Sequence, residues 1–212
     1  MSKTQFLYFG PDGISYLGRK SQSKPAGDKL WIDLQDPSPE NLQFIKQKYN
    51  LDEDSIKTTE QQAKRPQVRI LDECVFSILL DIRYKTRTKL MVYGIYIYIG
   101  KDWLVTIHTS DVDILSPIKH VMEKKNKRLL ESNIQAIYYT IIDEILGGYE
   151  QLLTSVELTI IDFEQKSLIK RSSKGMLEYL DMVTRQLIII RRHFWYTRDM
   201  INFLFSYTRR RE

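Results

Sequence analysis

SSKGMLEYLDMVTRQLIIIRRHFWYTRDMINFLFSYTR, running from Ser172 to Arg209, is the stretch whose reading decides the fold. Within it Met176, Leu180, Val183, Leu187, Ile190, Phe194, Thr197, Ile201 and Leu204 are spaced alternately by four and three residues. That alternation is a heptad seam, and over such a length it predicts a helix packed along its whole side against another helix. At 1.5 Å per residue the helix would be roughly 55 Å long, longer than a small domain is wide. Just upstream, Ile134, Tyr138, Ile141, Ile145, Tyr149, Leu152, Val156, Ile160 and Phe163 mark a second long helix. The connection over 166–173 is short, so the two helices are predicted to pack antiparallel. Two readings of the pair stay open: an arm that closes its own core, and a stalk that assembles with further copies. Arg209-Arg210-Arg211-Glu212 carries no Gly, Asn or Pro stop signal, so the helix is expected to have been cut within a longer protein.

Ahead of the helices the pattern changes to short strands. Thr4 to Gly10 alternates apolar residues, Pro11-Asp12-Gly13 is a turn signal, and Ile14 to Gly18 reads as the return strand of a hairpin. Leu30 to Leu34 is a compact buried strand ended by Asp36-Pro37. Ser38 then caps a helix with Pro39 at its first position. A short second helix is predicted over Leu51 to Lys57, with Asp52-Glu53-Asp54 as an acidic start favoured by the helix dipole. Thr58 to Arg65 reads as polar and exposed. Gln67 to Leu71, Cys74 to Tyr84, Leu90 to Ile99 and Trp103 to His108 are strands with short connections. Such a series implies a mixed, largely antiparallel sheet. Asp113 to Asn126 reads as a moderately amphipathic helix. The fold class expected is α+β: a domain over 1–130, followed by a long helical arm over 131–212. Gly147 and Gly148 interrupt the first arm helix, but the apolar phase continues through them, which predicts one helix with a weak point.

Composition narrows the function. The chain has 212 residues, 42 % hydrophobic and 28 % charged, enough for a sizeable core. No run approaches the ~18 apolar residues that span a bilayer. Cys74 is the only cysteine, so no internal disulfide can form. The net charge is +5, and the basic clusters at 124–128 and 209–211 carry no interleaved aromatics, which argues against nucleic acid. No catalytic constellation is present, and the chain is read as not an enzyme. His108, His120 and His193 are scattered and read as structural or exposed. Asp143 is the unusual carboxylate, because it lies beside the apolar seam of a long helix. A buried carboxylate is costly unless it is paired, so it should cap a backbone or face a partner or a cation.

Four stretches together resemble the cytoplasmic domain of the CorA magnesium transporter family. They are Trp31-Ile32-Asp33-Leu34 with Asp36-Pro37, Lys64-Arg65-Pro66-Gln67-Val68, Tyr139-Thr140-Ile141-Ile142-Asp143, and Arg185-Gln186-Leu187 through Arg191-Arg192-His193-Phe194-Trp195. The resemblance implies an α/β/α sandwich followed by long helices that form a funnel in a homopentamer. It implies regulation of a pore by intracellular Mg²⁺, with Mg²⁺ or Co²⁺ as the transported ion. It also implies attachment to the cell membrane through C-terminal helices that this stretch lacks, with this part on the cytoplasmic side. A zinc-transporting, ZntB-like relative is an alternative within the fold, and a soluble helical scaffold is an alternative outside it.

By the same resemblance Asp143 corresponds to a cation-sensing ligand. Two departures bear on that role. The family's sensor Glu-Asp pair falls on Lys57-Thr58, neither of them a carboxylate, and a family proline is replaced by Tyr196. Lys57 would be placed to neutralise Asp143. The metal site is then expected to be vestigial, or rebuilt from acids such as Asp54 or Glu60, and Mg²⁺ binding to be very weak. Without stalk and membrane helices the chain is expected to be a monomer or weak oligomer at micromolar concentration. Liposomes carrying only this chain are expected to show no Mg²⁺ flux, because no segment can cross the bilayer; uptake above protein-free liposomes would contradict this.

Overall fold

The computed structural model describes residues 2–10, 13–17, 29–86, 89–116, 118, 134–169 and 174–209. Seven strands form one sheet in the order β2-β1-β3-β7-β6-β5-β4. They are β1 Lys3–Gly10, β2 Gly13–Leu17, β3 Lys29–Gln35, β4 Gln67–Ile70, β5 Val75–Thr86, β6 Lys89–Ile99 and β7 Trp103–His108. Among the described strands only β3 and β7 run parallel; every other neighbouring pair is antiparallel. The sheet is thus mixed and largely antiparallel. Between β3 and β4 lie α1 Pro39–Tyr49 and α2 Glu53–Glu60. The long helices are α3 Ile134–Ile169 and α4 Lys174–Arg209. Most of the helix predicted over 113–126 lies outside the described residues.

The short helices start and stop where local chemistry requires. Ser38 accepts from the Asn41 amide, Pro39 occupies the first turn, and Asn50 closes α1 in the left-handed region at φ 48°. Asp52 caps α2 by accepting from the Ser55 amide at 2.8 Å. One polar residue of the stretch expected to be exposed is not: Thr59 is buried, donating to the Ser55 carbonyl and sharing a hydrogen bond with the Tyr98 hydroxyl. The Tyr98 phenol emerges on the face that α2 covers, where side chains of α2 satisfy it, Thr59 at 3.0 Å.

Strand alternation gives the sheet two apolar faces. Phe6, Tyr8, Ile32, Phe76, Ile78, Leu80, Tyr98 and Val105 lie on the first, packed with Leu42 and Ile45 of α1 and Ile56 of α2. Leu7, Trp31, Leu79, Ile95, Ile97 and Leu104 lie on the second, packed with Ile134, Ile137, Tyr138, Ile141 and Ile142 of α3. Helices on both faces make the α/β/α sandwich. The first turns of α3 are therefore part of that sandwich. The Tyr138 hydroxyl reaches Ser77 at 3.1 Å, and immediately after Gly147-Gly148 the Tyr149 hydroxyl donates to the Leu80 carbonyl at 2.8 Å. Gly147 and Gly148 have open space around them, and the helix runs through both without a break.

Beyond Tyr149, α3 packs against α4. Stacked rings pair Tyr149 with Phe194 and Phe163 with Tyr179, centroids 4.7 and 5.8 Å apart, which sets the two helices antiparallel. The buried stripe of α4 is Val183, Gln186, Ile190, His193, Thr197, Met200 and Leu204. It keeps the heptad step but is shifted from the expected seam. Leu187, Phe194 and Ile201 sit half-buried at its border, and Leu180 is 42 % exposed. The reason is that α4 has two partners. It meets α3 on one side and the sheet edge on the other, where Gln186 accepts from the Tyr84 hydroxyl and the Arg65 guanidinium stacks on the Tyr196 ring at 4.7 Å. The line of deepest burial falls between them. α4 also covers the β4 edge, which would otherwise offer unpaired backbone groups.

Replacing Ile141, fully buried under the sheet, with Ala is expected to cost about 2–5 kcal/mol in urea unfolding. Replacing Leu158, 62 % exposed on the same helix, is expected to change stability by less than about 0.5 kcal/mol. Equal effects would show that α3 is not fixed to the sheet as described.

Candidate functional site

Asp143 follows the buried pair Ile141 and Ile142 but is itself exposed, as is Glu144. Each residue turns the helix by about 100°, so Asp143 points away from the face that Ile141 buries. The cost of a desolvated carboxylate beside the seam therefore does not arise. Lys57 and Thr58 are on α2, across the sheet from α3. Lys57 pairs with Glu53 at 3.7 Å, not with Asp143. Thr58 donates to the Asp54 carbonyl at 2.6 Å and accepts from Arg69 at 2.9 Å. Asp54 and Glu60 also sit on α2, so one chain does not bring them to Asp143. Among the described residues no three His, Cys, Asp or Glu side chains converge as a metal-binding group. The Cys74 thiol is buried, and burial, with Glu73 and Asp52 nearby, pushes it up to about 12, which suits packing better than metal binding.

What does lie beside this part of α3 is an acidic cavity of about 200 Å³, lined among others by Asp81, Arg83, Asp113, Glu144 and Gly148. Burial raises the Asp81 carboxyl above its ordinary range, and Arg83, 3.5 Å away, partly offsets this. Sequence reading passed over Asp81. The available signal was a single acid inside the apolar run of β5, two residues ahead of an arginine on the same face.

A second polar group sits at the ends of β3 and β7. The Trp31 indole N–H donates to Thr106 Oγ1 at 2.9 Å, and the Thr106 hydroxyl donates to Asp33 Oδ1 at 2.5 Å. His108 Nε2 lies 3.1 and 3.2 Å from the two Asp33 oxygens, and its Nδ1 lies 2.8 Å from the Thr109 carbonyl. Asp33, Thr106 and His108 are all buried. Arg65, in the stretch 64–68, also stacks on Tyr196, the residue that follows 185–195.

The CorA-like Mg²⁺ transporter protein family matches residues 27–212. The chain belongs to the CorA family. It is 23 % identical over 176 residues to the cobalt/magnesium transport protein CorA of Methanocaldococcus jannaschii, covering 81 % of this chain and 54 % of that protein. The chain thus spans about half the length of the curated relative it matches. The fold is similar to the complete structure of the CorA magnesium transporter of the same organism, with a TM-score of 0.77 at 20 % identity over 95 % of this chain and 62 % of that one. It is also similar to the ZntB cytoplasmic domain of Vibrio parahaemolyticus, with a TM-score of 0.71 at 12 % identity over 97 % of this chain and 81 % of that one. No described helix is long and apolar enough to cross a membrane.

His193, at the centre of the buried α4 stripe, is 6 % exposed, and its Nδ1 has no hydrogen-bond partner among the described residues. Burial, with Arg192 beside it, holds its imidazole below the ordinary 6.5. The unfolded chain therefore takes up a proton that the folded chain resists, and stability falls as pH drops through 6.5. His193→Leu is expected to flatten this part of the acid limb of a urea-midpoint profile; an unchanged slope would contradict it.

Proposed function

We propose that this chain is the cytoplasmic regulatory domain of a CorA-type divalent-cation transporter that carries Mg²⁺ or Co²⁺ as cargo. The family match over residues 27–212 is the observation that carries this reading. The transporter is a homopentamer in the cell membrane, with this part on the cytoplasmic side. Residues 1–130 serve as the body and 131–212 as the arm, and α3 couples them because its first turns are built into the sandwich. Neither nucleic-acid binding nor catalysis belongs to the reading.

Asp143 serves as a regulatory Mg²⁺ ligand. Mg²⁺ keeps several waters and is commonly held by one or two carboxylates, so one exposed carboxylate on a helix is a sufficient starting point. Within one chain Asp143 has no second acid from α2, so another copy must supply the remaining ligands. Such a site is weak: millimolar affinity corresponds to about 4 kcal/mol. Weak sites between copies fill only at millimolar ion, and their differential affinity for two arrangements shifts the population between them. By restraining α3, an ion at Asp143 acts on the arm and on the sandwich together.

The likeness to the ZntB domain favours a zinc-transporting alternative only at the level of fold, being 12 % identical. Titration calorimetry separates the readings. The isolated chain is expected to bind Mg²⁺ with millimolar or weaker affinity, and Asp143→Ala to weaken it further. Submillimolar Mg²⁺ binding that vanishes in Asp143→Ala would show that one chain completes the site. Tight Zn²⁺ binding with none for Mg²⁺ would favour the zinc reading.

A further inference from the structure

The parallel pair β3–β7 carries toward its end a buried acid and a buried base that come from positions 75 residues apart. Asp33 is 1 % exposed and His108 is 5 % exposed. We infer that Asp33 and His108 form a proton-held clamp, which ties the exit of β7 to β3 and to the following segment only while His108 carries a proton on both ring nitrogens.

The geometry makes the case. A neutral imidazole offers one N–H donor and one acceptor, whereas an imidazolium offers two donors. Here both ring nitrogens face acceptors only: Nε2 faces the Asp33 carboxylate, and Nδ1 faces the Thr109 carbonyl. The Thr106 hydroxyl cannot relieve this, because it is committed to donating to Asp33 Oδ1 while accepting from Trp31. When the proton leaves, one of the two contacts of His108 must lose its hydrogen, and the Asp33 carboxylate loses its positive partner in a buried site. Left with the Thr106 hydroxyl and at most one neutral N–H, the buried carboxylate has lost its compensating charge, which is costly.

Solvent has a route to the pair. A polar cavity of about 420 Å³ reaches both Asp33 and His108, and Lys3, Gln5, Gln35, Ser110, Asp113 and Ser116 line it. The charged groups that line cavities with His108 are Asp33 on β3, Lys3 on β1, Asp111 and Asp113 in the segment after β7, Glu60 on α2 and Lys64 just after it. Asp36 lies just beyond, holding the Ser110 amide at 3.0 Å. Five acids against two lysines favour the charged imidazole. Burial works against that charge, but the hydrogen bond and charge of Asp33, the Thr109 carbonyl and Asp113 outweigh it and leave His108 above its ordinary 6.5.

The segment that the clamp holds matters for packing. After Thr109 the chain runs over the second face of the sheet, burying Val112, Ile114 and Leu115 in the cluster that also receives the first turns of α3. Releasing Thr109 loosens the roof of that cluster. The sign of the effect follows from linkage: the folded chain holds a proton that the unfolded chain releases, so the contribution is full below 6.5 and is lost as pH rises through the higher folded value. This is opposite to the effect of His193, and it stands whether or not the domain regulates transport.

The test is a proton NMR titration of the histidine rings in the whole chain, with the Trp31 indole N–H followed in the same samples. His108→Gln assigns the ring signal, and the wild-type titration needs no destabilising variant. The expected result is a ring that titrates above 6.5, with the Trp31 indole shifting at the same midpoint through Thr106 and Asp33. Asp33→Asn is expected to lower the proton affinity of that ring about tenfold or more, the equivalent of one pKa unit. If Asp33→Asn does not fold, Thr106→Val, which cuts the link to Trp31, is expected to abolish the indole shift while the ring still titrates. A His108 ring that titrates at or below 6.5 would overturn the inference. So would a Trp31 signal that ignores the midpoint, or an Asp33→Asn ring with unchanged affinity.

Discussion

Burial of Ile137, Tyr138, Ile141 and Ile142 against the second face of the sheet is the contact on which the rest of the molecule depends. It fixes the start of a helix of 36 residues, roughly 54 Å long, to a rigid layer. Everything beyond Tyr149 takes its direction from that attachment. The arm is not a separate body joined by a hinge, since Tyr149 bonds to the Leu80 carbonyl and stacks on Phe194 of α4 at the same time. α4 then returns along the β4 edge, so one helical hairpin closes a sheet face and a sheet edge.

Much of this was legible in the sequence, and the reasons are local. Ser38 and Pro39 announce α1, Asp52 announces α2, and the compact run Leu30 to Leu34 announces β3 as a strand buried on both faces. The heptad step of α4 was correct in period and displaced in phase. A seam read from apolar residues alone assumes one partner. α4 has two, so Gln186 and His193 enter the buried line while Leu180 leaves it. Polar residues at such positions are skipped when only hydrophobicity is counted.

The site was less legible, because it depends on which way single side chains point. Asp143 differs from Ile142 by one helical step, and that step takes it from the core to solvent. Lys57 and Asp143 lie on elements that pack on opposite faces of the sheet, and Lys57 pairs with Glu53 instead. Asp33 and His108 lie too far apart in sequence for spacing to join them. Only the parallel register, which sets Asp33 beside Thr106 and Gln35 beside His108, brings the two together. His193 and His108 then act on opposite sides of the pH axis: the contribution of His193 is lost toward acid and that of His108 toward alkali, so stability contributed by the pair is greatest between their transitions.

Hydrogen exchange along α3 tests the attachment most directly. If the helix is clamped by the sheet and continues as one element through Gly147 and Gly148, the amides of Ile137 to Ile142 exchange with the slowest group of β5 and β6. Those of 153–165 then exchange faster, together with the facing amides of α4, at a lower free energy of opening. Amides of Ile137 to Ile142 exchanging as fast as those of 153–165 would contradict the attachment, and with it the role of α3 as the link between sandwich and arm.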